Sequence, residues 1–191
     1  MTESANPMDL SGKLLIAMPG MGDPRFAHSV VFICAHSEDG AMGLIVNQPA
    51  PDLEFEDLLE QLEIDAGDES LPTTIHVGGP VEHGRGFVLH SSDYAVTEST
   101  LKVDAEFAMT ATLEILEDMA LRRGPRRALL ALGYSGWAPG QLEAEIAQNG
   151  WLTCDADPDL VFSPENARKW ERALAMLGVD PLTLSASAGR A

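Results

Sequence analysis

Cys34 and His36 come closest to a reactive pair in this sequence. They stand two positions apart in an apolar run that is typical of a β-strand, so their side chains are expected on one face. A nearby imidazolium can activate a thiolate by lowering the pKa of the thiol, whereas an apolar environment raises that pKa. The pattern favours a core cysteine, and the alternative is an enzyme that uses Cys34 with His36 or His90.

A second candidate for chemistry is the segment Gly133–Trp137, which lies between a predicted buried strand and a predicted helix. A nucleophile elbow of the form G-x-S-x-G occurs in that context, but its last position here is Trp137. Ser135 is therefore not expected to be a nucleophile. The histidines match no zinc-binding spacing, and neither CxxC nor HExxH is present. We expect no metal and no cofactor, and the sequence leans against an enzyme.

Polar residues recur at four-residue spacing in the predicted helix that follows this segment. Gln141, Glu145 and Asn149 fall on one stripe of that helix, and the aromatic residues Tyr134 and Trp137 precede it. Such a stripe could line a polar pocket. It could equally hold the helix to the sheet through hydrogen bonds, and the sequence leaves both interpretations open.

The glycine pair Gly78-Gly79 follows another predicted strand. A tight turn is the simplest interpretation, and an anion-binding nest of backbone amides is the alternative. The glycine-rich stretch that continues to Gly84 is predicted to be a turn between two strands.

Charge is spread unevenly along the chain. The 191 residues include 12 Lys and Arg against 30 Asp and Glu, which gives a net charge of −18. Nucleic-acid binding depends on neutralising phosphates with basic side chains, so this charge makes it unlikely. Basic residues do gather in one short segment, where they could complement a helix C-terminus or, as a rival interpretation, give a transcriptional regulator a contact with nucleic acid. They are Arg122, Arg123, Arg126 and Arg127.

The periodicity predicts strands early in the chain and helices among the later strands. Predicted strands are Lys13–Ala17, Ser29–His36, Met42–Asn47, Thr74–Val77, Arg85–His90, Ala128–Leu132, Trp151–Asp155 and Leu160–Phe162. Predicted helices are Asp52–Ile64, Ala105 to about Arg122 with Asp104 as N-cap and Gly124-Pro125 at its end, Pro139–Gly150 and one that ends at Leu177. This order favours α+β over a doubly wound sheet.

The chain has the length and composition of one compact domain, with 45% hydrophobic residues. Residues 1–9 are expected to form a flexible leader and residues 10–191 the domain. The N-terminus has no signal-peptide pattern, and no apolar run reaches the roughly 20 residues that a membrane span requires. With only two cysteines, a cytoplasmic location is expected.

Several blocks of sequence together resemble the YqgE/AlgH family of bacteria. The blocks are Leu15–Pro19, Val31–His36, Gly40–Asn47, Gly78–Pro80, Arg85–His90 and Gly133–Trp151. They occur in the family's order and cover about residues 10 to 191. The resemblance implies a cytosolic α+β domain with a mixed, mostly antiparallel sheet or partial barrel, flanked in this chain by about four helices. It implies no established activity, and the family's names rest on a link to alginate regulation in pseudomonads.

Motif blocks and predicted elements together nominate one set of ligand-binding residues. They are Asn47, Gly78, Gly79, Arg85, Tyr134, Trp137, Gln141, Glu145 and Asn149. The leading hypothesis is a domain that binds a small molecule or a protein partner, acts at most indirectly in regulation, and is a monomer or a weak homo-oligomer. Family members often end in Gly-His-Ala, but this chain ends in Gly189-Arg190-Ala191, so no terminal histidine is carried over.

Overall fold

A computed structural model describes residues 9–19, 26–65 and 74–179 of the chain. The strands are β1 (Lys13–Ala17), β2 (Val30–Ser37), β3 (Gly40–Ile45), β4 (Pro49–Glu54), β5 (Thr74–Val77), β6 (Val81–Ser91), β7 (Thr100–Lys102), β8 (Phe107–Thr110), β9 (Ala128–Trp137) and β10 (Trp151–Asp155). The helices are α1 (Phe55–Gln61), α2 (Leu113–Ala120), α3 (Gln141–Ala147), α4 (Pro158–Val161) and α5 (Asn166–Met176). The predicted leader, residues 1–9, lies outside the described residues apart from Asp9.

Strand β9 organises the sheet because it pairs with three other strands. Its first half lies between β5, which is parallel to it, and β6, which is antiparallel. Its second half pairs with β3, which continues through β2 and β1 to β10. The other edge runs from β6 through β8 to β7, and β4 pairs with β5. The result is a curled, largely antiparallel sheet that forms a half-barrel.

Three apolar clusters attach the helices to this sheet. The largest buries residues of α4 and α5 against the central strands, with Phe32, Phe107 and Trp170 among its members. A second lies beneath α3 around Trp137 and Trp151, and a third lies beneath α1 and α2. The α+β class is therefore confirmed, as one compact domain with five helices in the described residues where about four were expected.

The predicted helix from Ala105 to Arg122 is wrong in its first half. Phe107–Thr110 is strand β8, because its backbone pairs with β6 on one side and β7 on the other. Asp104 is a turn residue whose carboxylate accepts the amide hydrogens of Glu106 and Phe107. The helix itself is only Leu113–Ala120, so tertiary pairing overrides the local pattern.

Two further predictions are also wrong. Leu160–Phe162 is no strand, because Asp157 caps helix α4 by accepting the amide hydrogen of Asp159, and Pro158 fits the first helical turn. The stretch from Val81 to Gly84 belongs to β6 instead of a turn. No helix in the described ranges is long and apolar enough to cross a membrane.

Candidate functional site

The predicted polar stripe on α3 is a hydrogen-bonded cluster around one carboxylate. Glu145 Oε1 accepts the indole N–H groups of Trp137 at 3.0 Å and Trp151 at 2.9 Å. Its Oε2 accepts the side-chain amide of Gln141 at 2.8 Å, and the Gln141 oxygen accepts the amide hydrogen of Ala138. Both carboxylate oxygens are thus engaged with donors that tie α3 to β9 and β10. We call this arrangement the Glu145 cluster.

The two asparagines of the candidate set have local backbone roles. Asn47 accepts the amide hydrogen of Val30 at 3.0 Å and donates to the carbonyl of His28 at 2.9 Å, which fixes the chain before β2. Asn149 lies just after α3 with a φ of 63°, a left-handed conformation that asparagine tolerates better than most residues. Its side chain is exposed and takes no part in the Glu145 cluster.

Gly78 and Gly79 are required by close backbone packing. A Cβ atom at Gly78 would lie 2.3 Å from the carbonyl oxygen of Gly133, and one at Gly79 would lie 2.2 Å from the backbone of Tyr134. Both distances are far inside van der Waals contact, so only glycine fits where this turn passes β9.

The amide of Gly78 is also already used. Its N–H donates to the carbonyl of Leu132 at 2.8 Å, and its own carbonyl accepts from the Ser135 hydroxyl at 3.2 Å. An anion would have to displace that N–H bond. Ser135 is fully buried, in keeping with its exclusion as a nucleophile.

The surroundings of Cys34 and His36 do not favour a reactive pair. Cys34 is buried in the largest cluster, and burial raises the pKa of its thiol to about 12. His36 Nδ1 accepts the amide hydrogen of Leu10 at 3.0 Å, so the proton of the neutral ring lies on Nε2. That nitrogen lies 3.4 Å from a carboxylate oxygen of Glu143 without hydrogen-bond geometry. No hydrogen bond joins the imidazole to the thiol among the described atoms.

His90 is the end of a buried hydrogen-bonded chain. Its Nδ1 donates to the carbonyl of Ser91 at 2.8 Å, so Nε2 accepts from the Thr110 hydroxyl at 2.8 Å. Thr110 in turn accepts from Thr100 at 2.7 Å, which accepts the amide hydrogen of Val96. Burial lowers the pKa of His90. This series of hydrogen bonds connects β6, β7 and β8 and leaves neither ring nitrogen of His90 free.

The sequence interpretation missed a buried lysine. Lys169 is fully buried and donates to the carbonyls of Val46 and Val161, each at 2.7 Å. Burial, with a smaller contribution from Arg172, lowers the pKa of its amine to about 7. The signal was available, because Lys169 is four residues before the buried Ala173 and so falls on the apolar stripe of α5.

Some candidate residues do meet at an open site on the sheet. We call it the aromatic groove, a cavity of about 600 Å³. The edge of the Tyr134 ring packs against Phe87 at a centroid distance of 5.8 Å, and the Arg85 guanidinium lies 5.1 Å from the Phe87 centroid. Met42 and Met109 add apolar surface, and Trp137 borders the cavity.

Two polar groups at this groove remain available. The Tyr134 hydroxyl makes no hydrogen bond to any described residue. Within the described part of the chain, Arg85 pairs only with Glu82, at 3.5 Å between two side chains that are more than half exposed, which is a weak interaction in water. The groove therefore combines apolar walls with an unused hydroxyl and a weakly paired cation.

The basic segment lies at a different place, where α2 ends and β9 begins. Arg122, Arg126 and Arg127 border a cavity of about 550 Å³, whereas Arg123 does not. We call this cavity the arginine cleft. Within the described ranges no three His, Cys, Asp or Glu side chains lie close enough together to hold a metal ion.

These features define a class of protein: a half-barrel α+β domain in which most buried polar side chains of the described residues are hydrogen-bonded internally, and whose cavities include one lined by aromatic and one lined by basic side chains. The chain belongs to the AlgH-like family, whose model matches residues 14–182. The family membership expected from the sequence blocks is therefore confirmed.

Relatives with high identity extend over almost the whole chain. A UPF0301 protein of Ruegeria pomeroyi is 65% identical over 185 residues, covering 96% of this chain and 100% of the relative. A UPF0301 protein of Cereibacter sphaeroides is 58% identical over 184 residues, with the same coverage. These names state a family and no activity.

Two solved structures share the fold. The solution structure of AlgH from Pseudomonas aeruginosa is 42% identical, has a TM-score of 0.76 and covers 97% of each chain. A crystal structure of a Corynebacterium diphtheriae protein, 22% identical with a TM-score of 0.73, covers 92% of this chain and 90% of the other. The second likeness concerns the fold alone.

Proposed function

We propose that this protein is a non-catalytic binding domain that takes a small ligand with an apolar or aromatic body and an acidic group. The aromatic groove is the proposed site. The observation that carries the proposal is the combination of an open apolar cavity with the unused hydroxyl of Tyr134 and the guanidinium of Arg85 over the Phe87 ring.

The apolar walls supply the binding free energy in this proposal. A cavity of about 600 Å³ falls within the range of known small-molecule sites. Removing apolar surface from water contributes about 25 cal/mol per Å², and the methionine side chains of Met42 and Met109 can adapt to different shapes. A ring stacked beside Tyr134 and Phe87 would use the same surface.

Polar groups at the rim supply the selectivity. A guanidinium prefers a carboxylate or phosphate, which it can bind through two parallel hydrogen bonds. Glu82 holds Arg85 only weakly, so an acidic ligand group can replace it. The hydroxyl of Tyr134 can donate to the same group or accept from another part of the ligand.

Binding is favoured over catalysis by the state of the candidate catalytic groups. A thiol with a pKa of about 12 supplies almost no thiolate at neutral pH, and Cys34 does not border the aromatic groove. Both nitrogens of His90 are hydrogen-bonded to the protein. The alternative of an enzyme based on Cys34 has no assembled acid or base.

The setting of the proposed function follows the expectations from the sequence. We place the protein in the cytoplasm, which the free thiols of Cys34 and Cys154 support. We treat residues 10–191 as one functional unit that acts as a monomer or weak homo-oligomer. A protein partner that inserts an aromatic side chain next to an acidic residue would be an alternative occupant of the same groove.

The test is a nuclear magnetic resonance titration with 3-phenylpropionate as the probe and its uncharged amide as the comparison. We expect chemical-shift changes at the methyl groups of Met42 and Met109, and weaker binding of the amide. Arg85→Gln should weaken binding of the acid about tenfold, since a charge-assisted hydrogen bond contributes about 1.5–3 kcal/mol.

The two tyrosines of the chain provide a matched control. Tyr134→Phe removes only the hydroxyl at the groove and should weaken binding severalfold. Tyr94→Phe removes a hydroxyl that donates to Asp118 elsewhere and should leave binding unchanged. Shift changes spread evenly over the surface, or an equal loss in both variants, would contradict the proposal.

A further inference from the structure

The arginine cleft is independent of the aromatic groove, and the proposed function does not use it. Its basic residues come from the end of α2 and the start of β9, and its opposite wall comes from α4 and the turn before α5. The residues around it are Met119, Arg122, Gly124, Pro125, Arg126, Arg127, Ala128, Asp159, Phe162, Ser163 and Pro164. The cleft thus combines cations with apolar side chains in one cavity.

Two of its three guanidinium groups form no salt bridge with a described residue. Arg127 pairs with Asp159 at 2.8 Å. Arg122 forms no ion pair with any described residue, and the charge of Arg126 lies near enough to the Asp93 carboxylate to help lower the pKa of Asp93. The three arginines and Asp159 that border the cleft sum to a charge of +2, which the neighbouring Asp93 carboxylate reduces. The whole chain carries −18, so this concentration of positive charge runs against the overall field of the molecule.

Local backbone structure fixes where the arginines stand. Helix α2 ends in a Schellman motif, in which the amide of Arg123 donates to the carbonyl of Asp118 at 2.7 Å and the amide of Arg122 to that of Met119 at 3.1 Å. Arg122 occupies the left-handed position, at a φ of 59°, where glycine is usual. The amide of Arg126 donates to Asp93 at 3.0 Å, which anchors the other end of the turn.

We propose that the arginine cleft binds a phosphorylated small molecule of mononucleotide size. Guanidinium groups match the geometry of phosphate oxygens, and two that are not held in salt bridges at a cleft can bind one phosphate together. Met119 and Phe162 offer apolar surface to a planar body attached to that phosphate. The volume of about 550 Å³ suits such a ligand.

Size and charge distinguish this ligand from a nucleic-acid strand. A strand would extend beyond the cleft across a protein surface with a large excess of acidic residues, and each further phosphate would be repelled. A single phosphorylated molecule keeps its charge next to the arginines. Asp159 competes with the ligand for Arg127, so removing the charge of Asp159 should strengthen binding.

The experiment is calorimetric titration of the full chain at low ionic strength with three probes: inorganic phosphate, adenosine monophosphate and adenosine. We expect adenosine monophosphate to bind at least fivefold more tightly than phosphate, and adenosine not to bind. Equal affinity for the two anions would overturn the role of the apolar walls. Failure of both anions to bind would overturn the whole proposal.

Substitutions locate the binding. Arg126→Ala and Arg122→Gly should each weaken binding of adenosine monophosphate about tenfold. Arg122→Gly also removes the strained backbone position, so the fold is retained. Asp159→Asn should strengthen binding, because it frees Arg127. All three effects depend on the cleft itself.

Arg123→Ala is the matched control, since it removes the same charge from the same segment outside the cleft. Its effect should be less than twofold. A loss in Arg123→Ala as large as that in Arg126→Ala would show that the general charge of the segment attracts the anion, and the proposed site would be refuted.

Discussion

The two ends of β9 use charged side chains in opposite ways. At its C-terminal end, Glu145 accepts three hydrogen bonds from Trp137, Trp151 and Gln141 in a half-buried cluster. At its N-terminal end, Arg126 borders an open cleft and forms no salt bridge with a described residue, although its charge interacts with that of Asp93. One end places its charge where neutral donors surround it, and the other leaves its charge to solvent.

The difference separates polar residues that maintain the fold from those available to a ligand. A carboxylate that is partly removed from water is stabilised by hydrogen bonds, because leaving it unpaired costs free energy. An exposed arginine has no such requirement, and its removal costs little stability. Substitutions at the C-terminal end of β9 should therefore change stability, whereas those at the arginine cleft should change binding.

The largest effect is expected from Gly78→Ala, which tests whether the turn beside β9 is structural. The new Cβ would lie 2.3 Å from the carbonyl oxygen of Gly133, so the backbone must move. We expect a loss of about 3 kcal/mol or more in the free energy of unfolding, measured by urea denaturation. Gly84→Ala is the control, because its Cβ would meet nothing within 4 Å; a similar loss there would contradict this explanation.

Glu145→Ala should have the next largest effect. It leaves two indole N–H groups without their acceptor, and we expect a loss of about 2 kcal/mol in the free energy of unfolding. Glu145→Gln keeps one carbonyl oxygen and should lose less. Gln148→Ala, at an exposed position just after α3, should change stability by less than about 0.5 kcal/mol. Equal stability of Glu145→Ala and the wild type would show that the cluster is not structural.

The lowered pKa of the Lys169 amine predicts that the free energy of unfolding rises between pH 7 and pH 9. Its pKa is about 7 in the folded protein and 10.5 in the unfolded chain, so only the unfolded chain binds this proton in that interval. Stability therefore increases with pH, at up to about 1.4 kcal/mol per pH unit. The lowered pKa values of His76 and His90 affect the stability only below about pH 6.5, and the raised pKa of Cys34 affects it only above about pH 9.

Lys169→Met isolates this contribution. It removes the titrating amine, so the rise between pH 7 and pH 9 should disappear from denaturation curves even if the variant is less stable at every pH. Arg168→Met changes the exposed neighbour and should keep the rise. Persistence of the full rise in Lys169→Met would mean that another group titrates.

The smallest expected effect is the reactivity of Cys34 in the native state. Its buried thiol should resist iodoacetamide until the protein unfolds, as followed by mass spectrometry. Cys154 is the internal control, because it is only half-buried and its pKa is raised less, to about 11. Labelling of Cys34 as fast as that of Cys154 in the native protein would revive the enzyme alternative.

The elements that could be predicted are those whose local pattern agrees with the tertiary structure. Strands Lys13–Ala17, Thr74–Val77 and Trp151–Asp155 match the prediction at both ends. The segment Phe107–Thr110 was mistaken for helix because its strand state depends on pairing with β6 and β7, which are distant in sequence. Periodicity within one segment contains no information about such partners.

The candidate site also divides into features that local spacing predicts and features that depend on residues distant in sequence. The spacing of Gln141 and Glu145 correctly indicated a shared helix face, but it could not show that the donors for Glu145 would be the indoles of Trp137 and Trp151. Helical spacing could have placed Lys169 on the buried face of α5, but it could not show that the carbonyl groups that receive its two hydrogen bonds come from the residue after β3 and from α4.

By itself, the sequence determined the α+β class, the family, the acidic charge and the grouping of arginines between α2 and β9, because these depend on composition and on neighbours along the chain. Only the tertiary structure decided which polar residues face one another. It placed Glu145 among donors, and Tyr134 and Arg85 at the same open groove. The physical reason is that hydrogen bonding and burial are set by distances in space between residues that are far apart in sequence.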